Sequence, residues 1–432
     1  MKKMDEKNEF ALVPRPTGAI EKAESGTKRV LSGMVADTLA LMSAKGSAEA
    51  EDWFQKGNSY FESENYTEAV KWFHMAAKQG HANAQYKLGR CYDDGTGVVK
   101  NLVEAFQWYL KAAEQGLSGA QFMVGHCLMA GEGMSEDVEE AFKWYRKSAE
   151  QGFSPAQVNL AMCYRYGKGV PQNVTEAAKW YHKAAERGVA EAQSSLGDCY
   201  RNGEGVRRDM TEAVKWCRKA AEQGHVTAQY NLAVHYTCGA GVPQDYAAGA
   251  RWYRAAAEKG SPEAQACLGF CYHTGFGVPT KDSGDSEAMI WYRRAAEAGN
   301  VMAIHNLAVC YSWGRGVEHD HSEAVRLFQM LARQGNPTAQ YNLGLAYLNG
   351  RGVAMDLPQA YKCFQLAAEQ GYKAASEEMV STETLLWPER FQEAELAAAR
   401  THQRFIPMLS PQQFPKHEFG FVAEAPRSLK TK

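Results

Sequence analysis

The sequence has no run of apolar residues near the roughly 18 that a membrane-spanning helix needs, so it predicts no helix that crosses a bilayer. No apolar stretch of about 7–15 residues follows the charged residues 1–7, and a secretory signal is therefore not expected. The formal net charge is only −2 over 432 residues. This balance argues against nucleic acid and anionic membranes as partners. A cytoplasmic protein is the expectation.

The alternation of apolar and polar residues that predicts β-strands is also missing. What the sequence has instead is a Gly-x-Gly tripeptide that recurs eight times, at Gly95/Gly97, Gly131/Gly133, Gly167/Gly169, Gly203/Gly205, Gly239/Gly241, Gly275/Gly277, Gly314/Gly316 and Gly350/Gly352. Successive copies lie 36 residues apart, with one step of 39. A fixed period of this size predicts stacked repeats that share one elongated core.

Residues 81–116 illustrate one repeat. Its first helix, helix A, is predicted from apolar side chains at helical spacing, namely Ala84, Leu88, Cys91 and Tyr92. Helix A is expected to end at Gly95, because glycine readily adopts positive φ. The second helix, helix B, is expected to follow Asn101, which forms an N-cap with Glu104 as its reciprocal capping box. The same pairing recurs at Asp137 and Glu140. The helix-B tryptophans, Trp180 among them, are predicted to be buried.

The repeated pattern Ala-x-x-x-Leu-Gly-x-x-Tyr-x-x-Gly-x-Gly-Val, followed by Glu-Ala-x-x-Trp-Tyr-x-Lys-Ala-Ala-Glu-Gln-Gly, resembles the Sel-one-like repeat, a relative of the tetratricopeptide repeat. The resemblance covers residues 81–371 in eight repeats. It implies an all-α fold, a right-handed α-solenoid of helix-turn-helix repeats. Residues 47–80 are similar to a tetratricopeptide unit and lack the Gly-x-Gly connector.

One column of the repeat is occupied mainly by cysteine, at Cys91, Cys127, Cys163, Cys199, Cys271 and Cys310, with His235 in the same place. Equivalent positions on stacked helices lie about 8–10 Å apart, whereas a disulfide needs Cα atoms within about 7 Å. The column therefore predicts buried packing in preference to disulfides or a metal ladder. Cysteine-rich secreted relatives, to which β-lactam binding is attributed, carry cysteine pairs eight apart, and this sequence has none.

No metal, cofactor or catalytic site is predicted. The fragment at residues 318–321 contains two histidines, but Asp320 is needed as a helix-B cap, so a solvated connector is the better interpretation. The Gly-x-Gly tripeptides follow helices and not strands, which argues against a nucleotide site. No nucleophile, base and orienting acid are singled out, so neither an enzyme nor a small-molecule substrate is expected.

The flanks of the array differ from the repeats. Residues 1–46 contain an amphipathic segment at 28–43 that predicts either a cap for the array or a docking helix for another protein. Residues 372–406 are predicted to form C-terminal capping helices, one of which begins near Trp387. Residues 407–432 are predicted to be a flexible tail.

In tetratricopeptide-like arrays, which the pattern resembles, partners bind along the A helices on the concave side. Two columns that vary between repeats flank the common helix-A tyrosine and are predicted to face this groove. One part is polar, with guanidinium groups that can hold a carboxylate, at Arg165, Tyr166, Arg201 and Asn202. The other is mainly apolar, at Val234, Phe270, His273, Val309, Trp313 and Leu345. A competing interpretation has the arginines solvated or paired with Asp198.

The preferred function is a non-catalytic scaffold or adaptor that holds a partner protein or peptide in the groove. The alternative is a regulatory or signalling protein in which residues 1–46 recruit a separate effector. Both remain open at the level of sequence, because the column positions suggest a binding surface and do not name a partner.

Overall fold

The computed structural model describes residues 47–279 and 284–386, and within these ranges the chain forms nineteen α-helices and no β-strand. The chain divides into two compact units, Met1–Asp209 and Met210–Lys432. The amphipathic segment at 28–43, the helix expected from Trp387 and the tail at 407–432 lie outside the described residues.

The N-terminal unit contributes nine helices. They are α1 Ser47–Glu62, α2 Tyr66–Lys78, α3 Ala82–Asp94, α4 Leu102–Glu114, α5 Ser118–Ala130, α6 Val138–Glu150, α7 Ser154–Tyr166, α8 Val174–Glu186 and α9 Ala190–Asn202. From α3 onward the odd-numbered helices are the predicted A helices, and the even-numbered helices are the B helices.

The C-terminal unit contributes ten helices. They are α10 Met210–Glu222, α11 Val226–Cys238, α12 Tyr246–Glu258, α13 Pro262–Thr274, α14 Gly284–Glu297, α15 Val301–Trp313, α16 His321–Arg333, α17 Pro337–Asn349, α18 Leu357–Glu369 and α19 Lys373–Leu386. Consecutive helices within each unit pack against each other. The predicted all-α repeat fold is confirmed.

The ends of the helices follow the sequence signals with one exception. Helix α3 ends at Gly95, whose φ is 75°, as predicted. The side chain of Asp137 accepts a hydrogen bond from the backbone N–H of Glu140 at the start of α6, which confirms the N-cap.

The second hydrogen bond of the predicted capping box, from the backbone N–H of Asp137 to the side chain of Glu140, is wrong. The backbone N–H of Asp137 donates instead to the carbonyl of Leu128 on α5, at 2.9 Å. The Glu140 carboxylate pairs with Lys143 one turn along α6, at 2.9 Å. The fold of the connector brings the Leu128 carbonyl to the N–H of Asp137. The Glu140 side chain is therefore not needed as an acceptor there and pairs with Lys143 on its own helix.

The core of most repeats is built around an aromatic residue of helix B that faces helix A, whereas the repeat at 190–225 carries Cys217 in this place. Tyr109, Tyr145, Tyr181 and Tyr292 are at most 2 % exposed. The neighbouring tryptophan is less uniform, and the predicted burial of Trp180 is wrong. Its side chain is half-buried, lies under the Lys183 ammonium at 3.7 Å from the ring centroid, and lines an open pocket of about 400 Å³.

A ladder of glutamines ties consecutive repeats together. Near the start of most A helices a buried glutamine amide donates to the carbonyl of the residue eight positions earlier, at the end of the preceding B helix. The pairs are Gln85–Ala77, Gln121–Ala113, Gln157–Ala149, Gln193–Ala185, Gln229–Ala221, Gln265–Ala257 and Gln340–Ala332. Each of these carbonyls also accepts the backbone N–H of the glycine three residues later, so the glutamine amide adds a second hydrogen bond that joins the end of one repeat to the next.

One buried polar group has lost its partner. The amide of Asn306 donates to the hydroxyl of Tyr292 on the preceding helix, at 3.4 Å. The equivalent asparagine of the next repeat, Asn342, is 1 % exposed, and neither of its amide atoms is hydrogen-bonded within the described residues. The residue that corresponds to Tyr292 is Phe328, which has no hydroxyl to offer. The amide is therefore buried at a cost.

All ten cysteines are reduced thiols in the described residues, and nine of them are buried. Burial raises the pKa of Cys163 and Cys199 to about 12. The cysteine column is therefore buried packing, as the spacing predicts.

The buried thiols give a direct test. At pH 8 we expect the native protein to react with an aromatic disulfide reagent at Cys238 alone, because this thiol is half-exposed. Burial keeps the other nine thiols from the reagent, and the raised pKa values of Cys163 and Cys199 also keep these two protonated at this pH, whereas the thiolate is the nucleophile. Cys238→Ser should abolish the native reaction, and all ten thiols should react in denaturant. Several fast native equivalents, or stoichiometric zinc in the purified protein, would contradict this assignment.

Candidate partner-binding surface

The four polar residues singled out in the sequence come together in the N-terminal unit. Arg165 and Tyr166 end helix α7, and Arg201 and Asn202 end helix α9. Glu204 in the following connector joins the two ends, since one carboxylate oxygen lies 2.8 Å from Nη2 of Arg165. The other oxygen accepts from Nδ2 of Asn202 at 3.0 Å.

The network continues along α9. Nε of Arg201 lies 3.4 Å from Oδ1 of Asn202, and its Nη2 lies 2.8 Å from Oδ1 of Asp198. Arg165, Glu204, Asn202, Arg201 and Asp198 are named here the polar cluster. It contains two cations and two anions and is therefore neutral as a whole.

The electrostatics of the polar cluster favour a permanently charged guanidinium. Burial by itself would lower the pKa of Arg165, but Tyr166 and Glu204 outweigh it and raise that pKa above its ordinary range. The Tyr166 ring centroid lies 5.6 Å from Cζ of Arg165, and the ring is 45 % exposed. The cluster therefore offers a fixed positive group beside an accessible aromatic face.

The sequence indicated one of the two arginine ion pairs and missed the other. The Arg201–Asp198 pair agrees with the competing interpretation of the sequence. Glu204 was missed because it belongs to the connector after α9, and its contact with Arg165 links two repeats. The available signal was its position between Gly203 and Gly205, which varies between repeats although Glu132 is a second glutamate there.

The second predicted group lies in the C-terminal unit and is less uniform. Phe270 on α13 is half-buried, and Trp313 at the end of α15 is 36 % exposed. The groove-facing prediction is wrong for Val309, which is 1 % exposed. Val309 belongs to the hydrophobic core of this unit.

His273 is engaged inside the protein. Its Nδ1 lies 2.6 Å from Oδ1 of Asp285 on α14, and its Nε2 lies 3.1 Å from Nη1 of Arg315 in the connector after α15. The side chain is 9 % exposed. The histidine thus links three successive segments of the repeat array, and little of it is accessible to a partner.

An exposed aromatic residue that sequence reasoning missed lies nearby in the same unit. Phe276, between Gly275 and Gly277, is 43 % exposed. Its ring stacks on Tyr246 at the start of α12, with a centroid separation of 5.1 Å. The residue type was the available signal, since no other Gly-x-Gly tripeptide of this sequence contains an aromatic residue.

Within residues 47–279 and 284–386, no three histidine, cysteine or acidic side chains are grouped so that they could hold a metal ion. None of the helices there combines the length and the apolar character that a bilayer crossing needs.

The Sel1 repeat family has a sequence model that matches this chain nine times in succession, at residues 50–81, 82–117, 118–153, 154–189, 190–225, 226–261, 262–300, 301–336 and 337–372. The first match includes the segment whose missing connector had suggested a tetratricopeptide unit. A search of curated proteins found no match.

The solved structures that are similar to this chain include two of 34 % and 35 % identity. One is a protective antigen present in uropathogenic Escherichia coli strains that displays an SLR fold, 34 % identical over 77 % of this chain and 79 % of that one, with a TM-score of 0.61. The other is a Sel1 repeat protein from Oxalobacter formigenes, 35 % identical over 56 % of this chain and 96 % of that one, with a TM-score of 0.52. With the nine consecutive matches, these likenesses establish that the chain belongs to the Sel1 repeat family.

Proposed function

We propose that this protein is a non-catalytic scaffold that binds a partner protein or peptide along its A helices. Sel1 repeat proteins are generally protein-interaction scaffolds, which supports the class of function. The observation that carries the proposal is the polar cluster, with the exposed Tyr166 ring beside it. These side chains meet at the ends of two A helices, at positions that the repeat leaves variable.

The residues in question are not needed to build the repeat. The position of Arg165 and Arg201 is occupied elsewhere by side chains of unrelated size and charge, at Asp93, Met129, Thr237, His273, Ser312 and Leu348. The Arg165 and Arg201 side chains are 19 % and 11 % exposed and are fixed by ion pairs, so they lose little freedom when they bind and are suited to hold a carboxylate. Phe270, Phe276 and Trp313 supply accessible apolar area within the C-terminal unit for side chains of a partner.

The proposal is tested by the double variant Arg165→Ala/Arg201→Ala. We expect it to bind a partner captured by the full chain at least about tenfold more weakly, because charge-assisted contacts are lost. Its free energy of unfolding should change by about 1 kcal/mol or less, since the replaced pairs are partly solvated. Affinity is measured by titration calorimetry and stability by urea denaturation.

A matched control is available on a B helix, α6. Lys143 and Arg146 on α6 also form ion pairs, with Glu140 and Glu150, but they lie on an exposed helix-B face. Lys143→Ala/Arg146→Ala removes the same net charge and should leave partner affinity within about twofold of wild type. Equal losses in the two double variants, or none in the first, would count against the polar cluster as the binding surface.

A further inference from the structure

Glu204 occupies a place in the repeat that has no structural requirement for a carboxylate. It lies between two connector glycines with positive φ, Gly203 at 76° and Gly205 at 71°. The corresponding residues of the neighbouring connectors in this unit are Thr96, Glu132 and Lys168. The connector forms with a threonine, a glutamate or a lysine at this position. Its fold therefore does not require an acid at residue 204, and the contacts of Glu204 indicate its role.

The contacts of Glu204 are those of a bound carboxylate. Its two oxygens face donors from two A helices, with Nη2 of Arg165 at 2.8 Å and Nδ2 of Asn202 at 3.0 Å. Asn202 is in turn held by Arg201 through Oδ1. A guanidinium and an amide that converge on one carboxylate form a complete recognition site for that group.

The site can exchange its carboxylate. The Glu204 side chain is 34 % exposed and the Arg165 side chain 19 % exposed, and partly solvated ion pairs contribute little net stability. The close contact engages a single guanidinium nitrogen of Arg165, whereas two-nitrogen contacts are stronger. A carboxylate from solvent that engages the guanidinium through two nitrogens therefore has an advantage over Glu204.

We infer that Glu204 is the internal occupant of a carboxylate-binding site, which a C-terminal or side-chain carboxylate of a partner takes over when the Glu204 side chain rotates out. The exposed Tyr166 ring supplies a surface for the residue that flanks the incoming carboxylate. This inference rests on the proposed function and adds two things to it. It names the chemical group recognised, and it makes Glu204 a competitor that lowers the affinity for that group.

The test uses Glu204→Gln in the full chain. Glutamine keeps an Oε1 acceptor for Asn202 and removes the charge that pairs with Arg165. The probe is a fluorescein-labelled Gly-Gly-Gly-Glu-Glu-Glu peptide with a free carboxyl terminus, followed by fluorescence anisotropy at low salt. We expect Glu204→Gln to bind this probe about three- to tenfold more tightly than wild type. A probe with glutamines and a terminal amide should bind neither protein.

Glu132→Gln is the matched control, because it makes the same change of charge at the same place in a connector. Glu132 is 33 % exposed and lies 3.9 Å from Nδ1 of His126, so it faces no arginine in its ion pair. Its replacement should leave probe affinity within about twofold of wild type. An equal gain of probe affinity in both variants would mean that the change of net charge causes the gain, and it would overturn the internal-occupant inference.

Adding Arg165→Ala to Glu204→Gln should return probe affinity to the wild-type value or below it, because the gain requires the guanidinium. Thermal denaturation of each variant confirms that it is folded. If no gain is seen in Glu204→Gln while the double arginine variant still loses the captured partner, the inference fails and the proposed function stands. If the double arginine variant keeps that partner, the proposed function fails.

Discussion

Gly205→Ala is expected to lower the free energy of unfolding by about 2–5 kcal/mol. The backbone at Gly205 has a φ of 71°, which costs an L-residue about 1–2 kcal/mol. A Cβ there would also come within 2.0 Å of the Val174 carbonyl oxygen. That neighbour is backbone at the start of α8, so the helix has to shift, which adds about 1–3 kcal/mol. Urea denaturation followed by circular dichroism measures the difference.

Gly188→Ala separates the two contributions. Gly188 also has positive φ, at 87°, but a Cβ there would meet no atom within 4 Å. Its replacement should cost only the backbone term, about 1–2 kcal/mol. Equal costs at the two positions would mean that the connector does not pack against the preceding helix B as closely as described.

Tyr145→Ala is expected to cost about 3–5 kcal/mol, the range for large aromatic truncations in a core. The ring is fully buried, and a Cβ at Gly125 would lie 2.8 Å from it. Helix α5 therefore comes close enough to enclose the ring, and the cavity left by alanine cannot close without moving that helix.

Tyr166→Ala is the control for this truncation, since it removes the same side chain from a site that is 45 % exposed. Its cost should stay below about 1 kcal/mol. Both values come from the same urea titration. A loss of less than about 1 kcal/mol for Tyr145→Ala would show that the tyrosine column contributes little to the core.

The helices could be predicted because their signals are local. The glycine that ends α3 and the aspartate that caps α6 each act on residues only a few positions away, so the sequence alone predicts where these helices end and begin. The predicted hydrogen bond from the N–H of Asp137 to the Glu140 side chain is wrong because the N–H has a partner that is not local. The N–H of Asp137 finds the Leu128 carbonyl across the connector, and a bond of that kind depends on how the two helices fold back on each other.

The candidate site was predicted in part for the same reason. The column position of Arg165 and Arg201 follows from the period, and a chain of contacts through Glu204 and Asn202 connects them. The partner of Arg165 comes from the next repeat. The partners of His273 come from the start of α14, which follows a connector that is three residues longer, and from the connector after α15. Sequence spacing alone does not give such distances, and the burial of Val309 likewise depends on its neighbours.

The glutamine ladder bears on how an array of this kind changes length. Each rung joins a glutamine to a carbonyl eight residues earlier, across the seam between one repeat and the next. A tandem duplication or an in-frame loss of one full period regenerates the same seam wherever the A helix that follows carries the glutamine, because the new neighbour presents the same donor and acceptor. Helix α15, with Ile304 in this place, is an exception. The chain can therefore gain or lose a whole repeat, together with whatever variable side chains that repeat carries, without any compensating change in the rest of the array.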